Sequence, residues 1–165
     1  MGNNTKSEKR IKLFAVNLVT VCVNGGQGGD YRGVYWDQYH TEAHPFISSM
    51  DLIWKLDSHF DELNFPQRST VPRSFYPVKA EAVNHIKRLE RVRVMSDIDE
   101  KRGEQATFIV QVKYRQNSTW QGQVVWAEEN KKVYFRSALE LLKLMDGALS
   151  RGGFEDDGRE EQQEE

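Results

Sequence analysis

Three histidines and one cysteine carry the most specific chemistry in this chain. His40 and His44 stand four residues apart, with His59 downstream and Cys22 upstream. Imidazole nitrogen and thiolate sulfur are the usual ligands of zinc. Two histidines four apart reach one ion readily when they lie on one face of a helix. Pro45 follows His44 directly, and the residue before a proline is pushed out of helical backbone. The expectation is therefore surface histidines, with no metal site and no cofactor.

Other patterns suggest chemistry and have simpler physical readings. Phe46-x-Ser48-x-x-Asp51-Leu52 recurs as Phe135-x-Ser137-x-x-Glu140-Leu141. A serine nucleophile is one reading. A capping box explains the same residues, because the hydroxyl and the acid each satisfy a backbone N–H at a helix start. Gly25-Gly26-Gln27-Gly28-Gly29 could cradle a phosphate in a nest of N–H groups. No Lys-Ser/Thr follows it, so it is not a P-loop and reads as a hairpin connection from Asn24 to Asp30. Asp57 and Asp146 fall late in two helical stretches, where a carboxylate opposes the macrodipole. Each calls for a lysine or arginine from the other half of the chain. No nucleophile repeats with them, so no catalytic residues are assigned.

A binding surface is the remaining candidate. Gln111, Lys113, Arg115, Gln121 and Gln123 alternate along two strand-like stretches, which places them on one sheet face. Amides and cations there suit base edges and phosphates, or simply solvent. Val34 and Trp36 make the corresponding face of the first half partly apolar, which suits packing on the middle helix or on a partner.

The elements that position these residues come in two sets. Residues 17–63 align without a gap on 106–152 at an offset of 89, with eight of 47 pairs identical. Val21 falls on Val110, Val23 on Val112, Gly33 on Gly122, Phe46 on Phe135, Ser48 on Ser137, Leu52 on Leu141 and Asp57 on Asp146. In the first set, Val19, Val21 and Val23 share a strand face, Tyr31–Tyr39 reads as a second strand, and Thr41–Phe46 holds a short third with Pro45 at an edge. Met50, Ile53, Leu56 and Phe60 then recur at helical spacing, with Ile47 and Leu52 in the places of a hydrophobic staple. In the second set, Phe108, Val110, Val112 and Tyr114 share one face, and Trp120, Gly122, Val124 and Trp126 another. Val133–Phe135 is a third strand, and Leu139, Leu142, Met145 and Leu149 line a helix.

Composition bounds the rest. About a quarter of the 165 residues are Leu, Ile, Val or Phe, which is globular rather than disordered usage. Each repeat alone is too short to bury much surface, so the two must share a core or cover each other. The net charge of −2 hides an asymmetry. Residues 155–165 hold seven acids and one base, and the rest carries 22 basic and 18 acidic residues. Such a tail reads as a solvated run. The single cysteine excludes an intramolecular disulfide. No apolar run reaches membrane-spanning length, and the polar start lacks a signal-peptide core. A cytoplasmic protein with no membrane partner is expected.

Residues 106–149 resemble a family of short proteins from Gram-positive bacteria. The resemblance rests on Tyr114-Arg115-Gln116-Asn117, Trp120-Gln121-Gly122 and Phe135-Arg136-Ser137-Ala138-Leu139-Glu140-Leu141 followed by Met145-Asp146. It covers about a quarter of the chain and implies no activity. The first half departs from that pattern, with Tyr31-Arg32-Gly33 for Trp-Gln-Gly and Ile47 for the arginine. The strand–strand–strand–helix order is also similar to sheet-reading DNA-binding domains of phage-type integrases, as an analogy of order alone.

These readings give an α+β protein made by tandem duplication of a β-β-β-α unit, each helix packed on a small antiparallel sheet. Residues 1–16 form an arm, 17–63 the first unit, 64–105 a basic linker with a helix over Lys79–Val94 and a polar loop over Asp97–Glu104. Residues 106–152 form the second unit and 153–165 the acidic tail. The expected function is a non-enzymatic binding or regulatory protein, with a protein partner or self-association foremost. The alternative is DNA or RNA binding through Gln111, Lys113, Arg115, Gln121 and Gln123 together with Arg88 and Arg91 of the linker.

Overall fold

The structure is a computed structural model that describes residues 9–71, 73–77 and 93–151. The expected linker helix, with Arg88 and Arg91, and the acidic tail lie outside the described residues.

Six antiparallel strands form one sheet in the order β3-β2-β1-β4-β5-β6. They are β1 (Val19–Gln27), β2 (Asp30–Trp36), β3 (His44–Phe46), β4 (Ala106–Tyr114), β5 (Gln121–Trp126) and β6 (Lys131–Phe135). Helix α1 (Ser49–Leu63) follows β3, and α2 (Ala138–Arg151) follows β6. The expected α+β class holds. The first and last three strands do not form two small sheets. β1 pairs with β4, and one sheet runs through both halves. No helix among the described residues is long and apolar enough to cross a membrane.

Alternation explains the layers. Val19, Val21, Val23, Phe108, Val110 and Val112 point to the side of both helices. They meet Leu52, Leu56 and Phe60 of α1 and Leu141, Met145 and Ala148 of α2 in one core. Residues one step out of phase, Ile109 and Val125, form a second cluster with Leu18 and Ile98. Ile11, Leu13, Ala15, Trp36 and Met95 pack around it. The two central strands are thus covered on both faces. The arm and the stretch before β4 roof the outer side, and Ile98 is a buried anchor in what the sequence presents as a polar loop. Trp36 packs there, whereas the middle helix expected to cover it lies outside the described residues.

The register repeats. The pairings from Thr20–Trp36 to Gly25–Arg32 recur 89 residues later, from Ile109–Val125 to Tyr114–Gln121. Gly33–Phe46 recurs as Gly122–Phe135, and Tyr35–His44 as Val124–Val133. Both ladders slip at the same place, between Val23 and Gly25 and between Val112 and Tyr114. A Cβ at Gly33 would overlap the carbonyl oxygen of Cys22, and one at Gly122 that of Gln111. Close backbone approach at a bulge is what glycine permits.

Several local expectations are corrected. β1 runs through the glycine run to Gln27, and the reversal uses only Gly28 and Gly29, both with positive φ, the signature of a two-residue hairpin turn. Ser48 and Ser137 cap their helices, accepting from the Asp51 and Glu140 N–H groups at 3.0 Å. The acids do not close the boxes as expected. Asp51 takes the N–H of Ile47, and Glu140 pairs with Arg136. Ile47 is 82% exposed, so no staple forms. Met50 and Leu139 are exposed, and Leu142 is half-buried beside a core face set by Leu141, Met145 and Ala148.

Candidate functional site

The strand pairing assembles an unanticipated site. Tyr35 lies on the helix side of β2, and the β2–β3 register sets His44 across from it. Their rings stack with centroids 4.7 Å apart. Trp36 points to the outer side, so Asp37 turns inward, and it is 0% exposed. One of its carboxylate oxygens accepts the backbone N–H groups of Tyr39 at 2.7 Å and His40 at 2.9 Å. This Asx-type turn reverses the chain between β2 and β3. It also brings the His40 Nδ1 to 2.8 Å and the His44 Nε2 to 2.8 Å from the other oxygen, Oδ2.

His59 enters from α1, with Nδ1 3.8 Å from the same Oδ2. It is 5% exposed, and its Nε2 has no hydrogen-bond partner among the described residues. The surface reading is therefore wrong for His59 and incomplete for the other two. No helix spans 40–44, as Pro45 requires. The pair converges because a buried aspartate, not a helix, sets their spacing.

Electrostatics follow the geometry. Burial pushes the Asp37 carboxyl up, but the Tyr39 N–H, the His40 hydrogen bond and the nearby imidazoles outweigh it, and the group sits below its ordinary range. Burial pushes the His59 imidazole down to about 4 against the opposing pull of Asp37. Burial, then the Asp37 charge, pushes the Tyr35 phenol up to about 12. Cys22 takes no part. It sits between Val21 and Val23 and so faces the side away from the helices, and burial pushes its thiol up to about 11.

Asp37, His40 and His44 offer ligand atoms within 4.8 Å of one another. His40 and His44 line a cleft of about 410 Å³ between β3 and α1, together with Trp54, Ser58 and Glu62, and Asp37 is buried behind them. A second cleft of about 300 Å³ lies between β6 and α2. Its floor is Phe108, Val124, Trp126, Val133 and Ala148, and Lys131, Lys143 and Arg151 also line it.

The expected polar face of the second half is only partly a surface. Gln111 and Gln123 do share the outer side and pair in register. Gln123 is 7% exposed and spends its amide on Gln111, 2.6 Å away. Lys113 and Gln121 are half-buried. Arg115 is corrected outright. The slip after Val112 breaks the alternation and turns it away from that face. It is 4% exposed, donating to the Pro66 carbonyl at 2.7 Å and reaching Asp57 at 3.2 Å and Asp61 at 2.7 Å. Arg115 is thus the cation that Asp57 calls for, aided by Arg68. For Asp146 the partner differs from expectation. It accepts from the hydroxyl of Tyr31 on β2.

The chain matches no protein-family model, no curated protein and no solved structure in the comparisons made.

Proposed function

We propose that this is a non-enzymatic binding protein, made by tandem duplication of a β-β-β-α unit, that takes ligands in two equivalent clefts. The observation that carries the reading is positional. At the offset of 89, Tyr35, His44, Trp54, Lys55, Ser58, His59 and Glu62 of the first cleft fall on Val124, Val133, Lys143, Leu144, Gly147, Ala148 and Arg151 of the second. The repeated register and the shared slip support the same duplication. Both clefts lie between third strand and helix, and only the linings differ. The helix-start serines are occupied as caps, which supports binding rather than nucleophilic catalysis.

The second cleft combines an apolar floor with three cations. That lining suits an acidic ligand with an apolar body, such as an acidic amphipathic segment of a partner protein. Exposed Ile47, Met50 and Trp54 beside the first cleft add an apolar surface of the kind partners cover. The resemblance of 106–149 to the Gram-positive family would place the second cleft within the shared region.

The test uses anilinonaphthalene sulfonate, an apolar anion. A Cβ at Gly147 meets nothing within 4 Å, so Gly147→Leu fills the cleft without strain and favours the helix. Wild-type protein should bind the dye at about micromolar Kd, and Gly147→Leu should lose the fluorescence without a lower Tm. A silent wild type, or an unaffected variant, would overturn the reading.

One observation favours the second reading, nucleic acid. Tyr134 stands exposed between Lys113 and Lys132, whose ammonium groups lie 5.4 and 5.6 Å from its ring. A stacking ring flanked by cations suits single strands. Single-stranded oligonucleotide binding should then weaken steeply with salt and fall on Tyr134→Ala.

A further inference from the structure

We propose that the first cleft is a metal site, in which Asp37, His40 and His44 hold one divalent first-row transition ion with coordination positions open to the cleft. The inference deepens the two-cleft reading and rests on it for the cleft's role.

The argument begins with the carboxylate. Asp37 is fully buried, yet among the described residues no lysine or arginine pairs with it. A buried carboxylate without a cation is costly. Its Oδ1 is engaged by two backbone N–H groups, which fixes the group and leaves Oδ2 facing the imidazoles. The partners of Oδ2 are instead imidazoles, the side chains that together with a carboxylate bind a metal ion.

Geometry supports a small ion. Zinc bonds nitrogen and oxygen at about 2.0–2.2 Å, so tetrahedral ligand atoms stand ~3.4 Å apart. Here Oδ2 lies 2.8 Å from each imidazole nitrogen, and all three atoms lie within 4.8 Å of one another. Small side-chain rotations convert the hydrogen-bonded cluster into a ligand set. The Asx turn holds Asp37 and His40, and the strand register with the Tyr35 ring holds His44. Such support of ligands by surrounding contacts is what orients them.

The ligand types choose the ion. Two imidazoles and one carboxylate suit zinc, iron, cobalt or nickel, whereas magnesium and calcium prefer all-oxygen sets. Three protein ligands leave at least one position open, as in exchangeable or reactive zinc sites rather than closed structural ones. His59 lines the same cleft, with its Nδ1 3.8 Å from Oδ2 and its buried Nε2 without a hydrogen-bond partner among the described residues. Its ring stands next to the three ligands, where it can position an ion-bound water. The second cleft has Trp126, Glu129, Val133 and Ala148 at the four equivalent positions, so only the first half carries the donor set.

The experiment titrates the full chain, stripped by a chelator, with cobalt(II), followed by its visible ligand-field bands, and then with zinc. One equivalent should bind, zinc should displace cobalt, and magnesium should not. His40→Gln and His44→Gln should each weaken binding by at least ~10-fold. Zinc should raise the Tm of the wild type and leave that of the double variant unchanged. His40 is half-exposed, so His40→Gln keeps the test open if the double variant fails to fold. Folded wild type without cobalt bands would overturn the proposal, as would bands of equal strength in His40→Gln and His44→Gln. If cobalt fails while dye still binds the second cleft, the metal falls and the two-cleft reading stands. If both fail, both fall.

Discussion

Thr20 pairs across the sheet with Ile109, the residue 89 positions later that holds its place in the second half. A residue can sit opposite its own equivalent in an antiparallel pair only where a two-fold axis passes between the strands. Val19–Val110 and Val21–Phe108 flank that point and exchange under the same offset. Side-chain contacts cross between the halves too. Trp120 of the second half meets Phe60 of α1 with ring centroids 5.5 Å apart. Its equivalent Tyr31 reaches Asp146 of α2. Each half completes the other's core, as units too short to bury a core alone require.

The glycines opposite the two slips should be equally intolerant of a side chain. Gly33→Ala and Gly122→Ala should each cost about 1–3 kcal/mol, because the added methyl meets backbone that cannot rotate away. Their sites lie in different halves, so the double variant should add to within ~0.5 kcal/mol. Urea midpoints at unchanged slope measure this. A neutral change at either would mean that the slip relaxes there.

Arg115→Leu should cost about 1–3 kcal/mol at pH 7, since it leaves Asp57 and Asp61 sharing Arg68 and the Pro66 carbonyl unpaired. The loss should depend on pH. Burial pushes the Asp61 carboxyl up, but Arg68 and Arg115 outweigh it and hold it below its ordinary range. Such a group adds stability that is present above the unfolded carboxylate pKa of about 3.9 and is lost as pH falls through the depressed folded value. The gap between wild type and variant should therefore be widest near neutrality and narrow below about pH 4. A gap that stays constant down to acid pH would show that Arg115 acts through packing alone.

What was legible in the chain was local or periodic. The two-residue alternation of Val19, Val21 and Val23 marked the core face of β1, and Ser48 and Ser137 marked both helix starts. Three things were not. Asp37 carries no local signal, because its role comes from the register that sets His44 opposite Tyr35. Arg115 reads as a continuation of Gln111 and Lys113, because a strand slip leaves no mark on alternation. Leu139 and Leu141 fit helical spacing equally well, and only the approach angle of α2 decides which is buried. The joining of both halves into one sheet rests on β1–β4 pairing, to which no turn residue points.

Tyr31→Phe should cost about 1.5–3 kcal/mol, the value of a hydrogen bond to a charged acceptor. Burial, then the bond to Asp146, pushes the phenol up, so the hydroxyl remains a donor at neutral pH. Asp146→Asn should cost less on a Tyr31→Phe background than alone, and the double-mutant cycle reads the coupling. Strict additivity would show that the contact contributes nothing.

Neighbouring leucines of α2 separate the core face from its border. Leu141 is fully buried against Met145 and the sheet, whereas Leu142 is only partly covered. Leu141→Ala should leave a cavity in a closed site and cost about 2–5 kcal/mol. Leu142→Ala loses less buried area and should cost about 1 kcal/mol. Both substitutions keep the helix, since alanine has the highest helix propensity, so the difference reports burial alone. Chemical denaturation of the two variants measures it directly. Equal losses would mean that α2 sits rotated on the sheet, with the stripe through Leu142 facing the core.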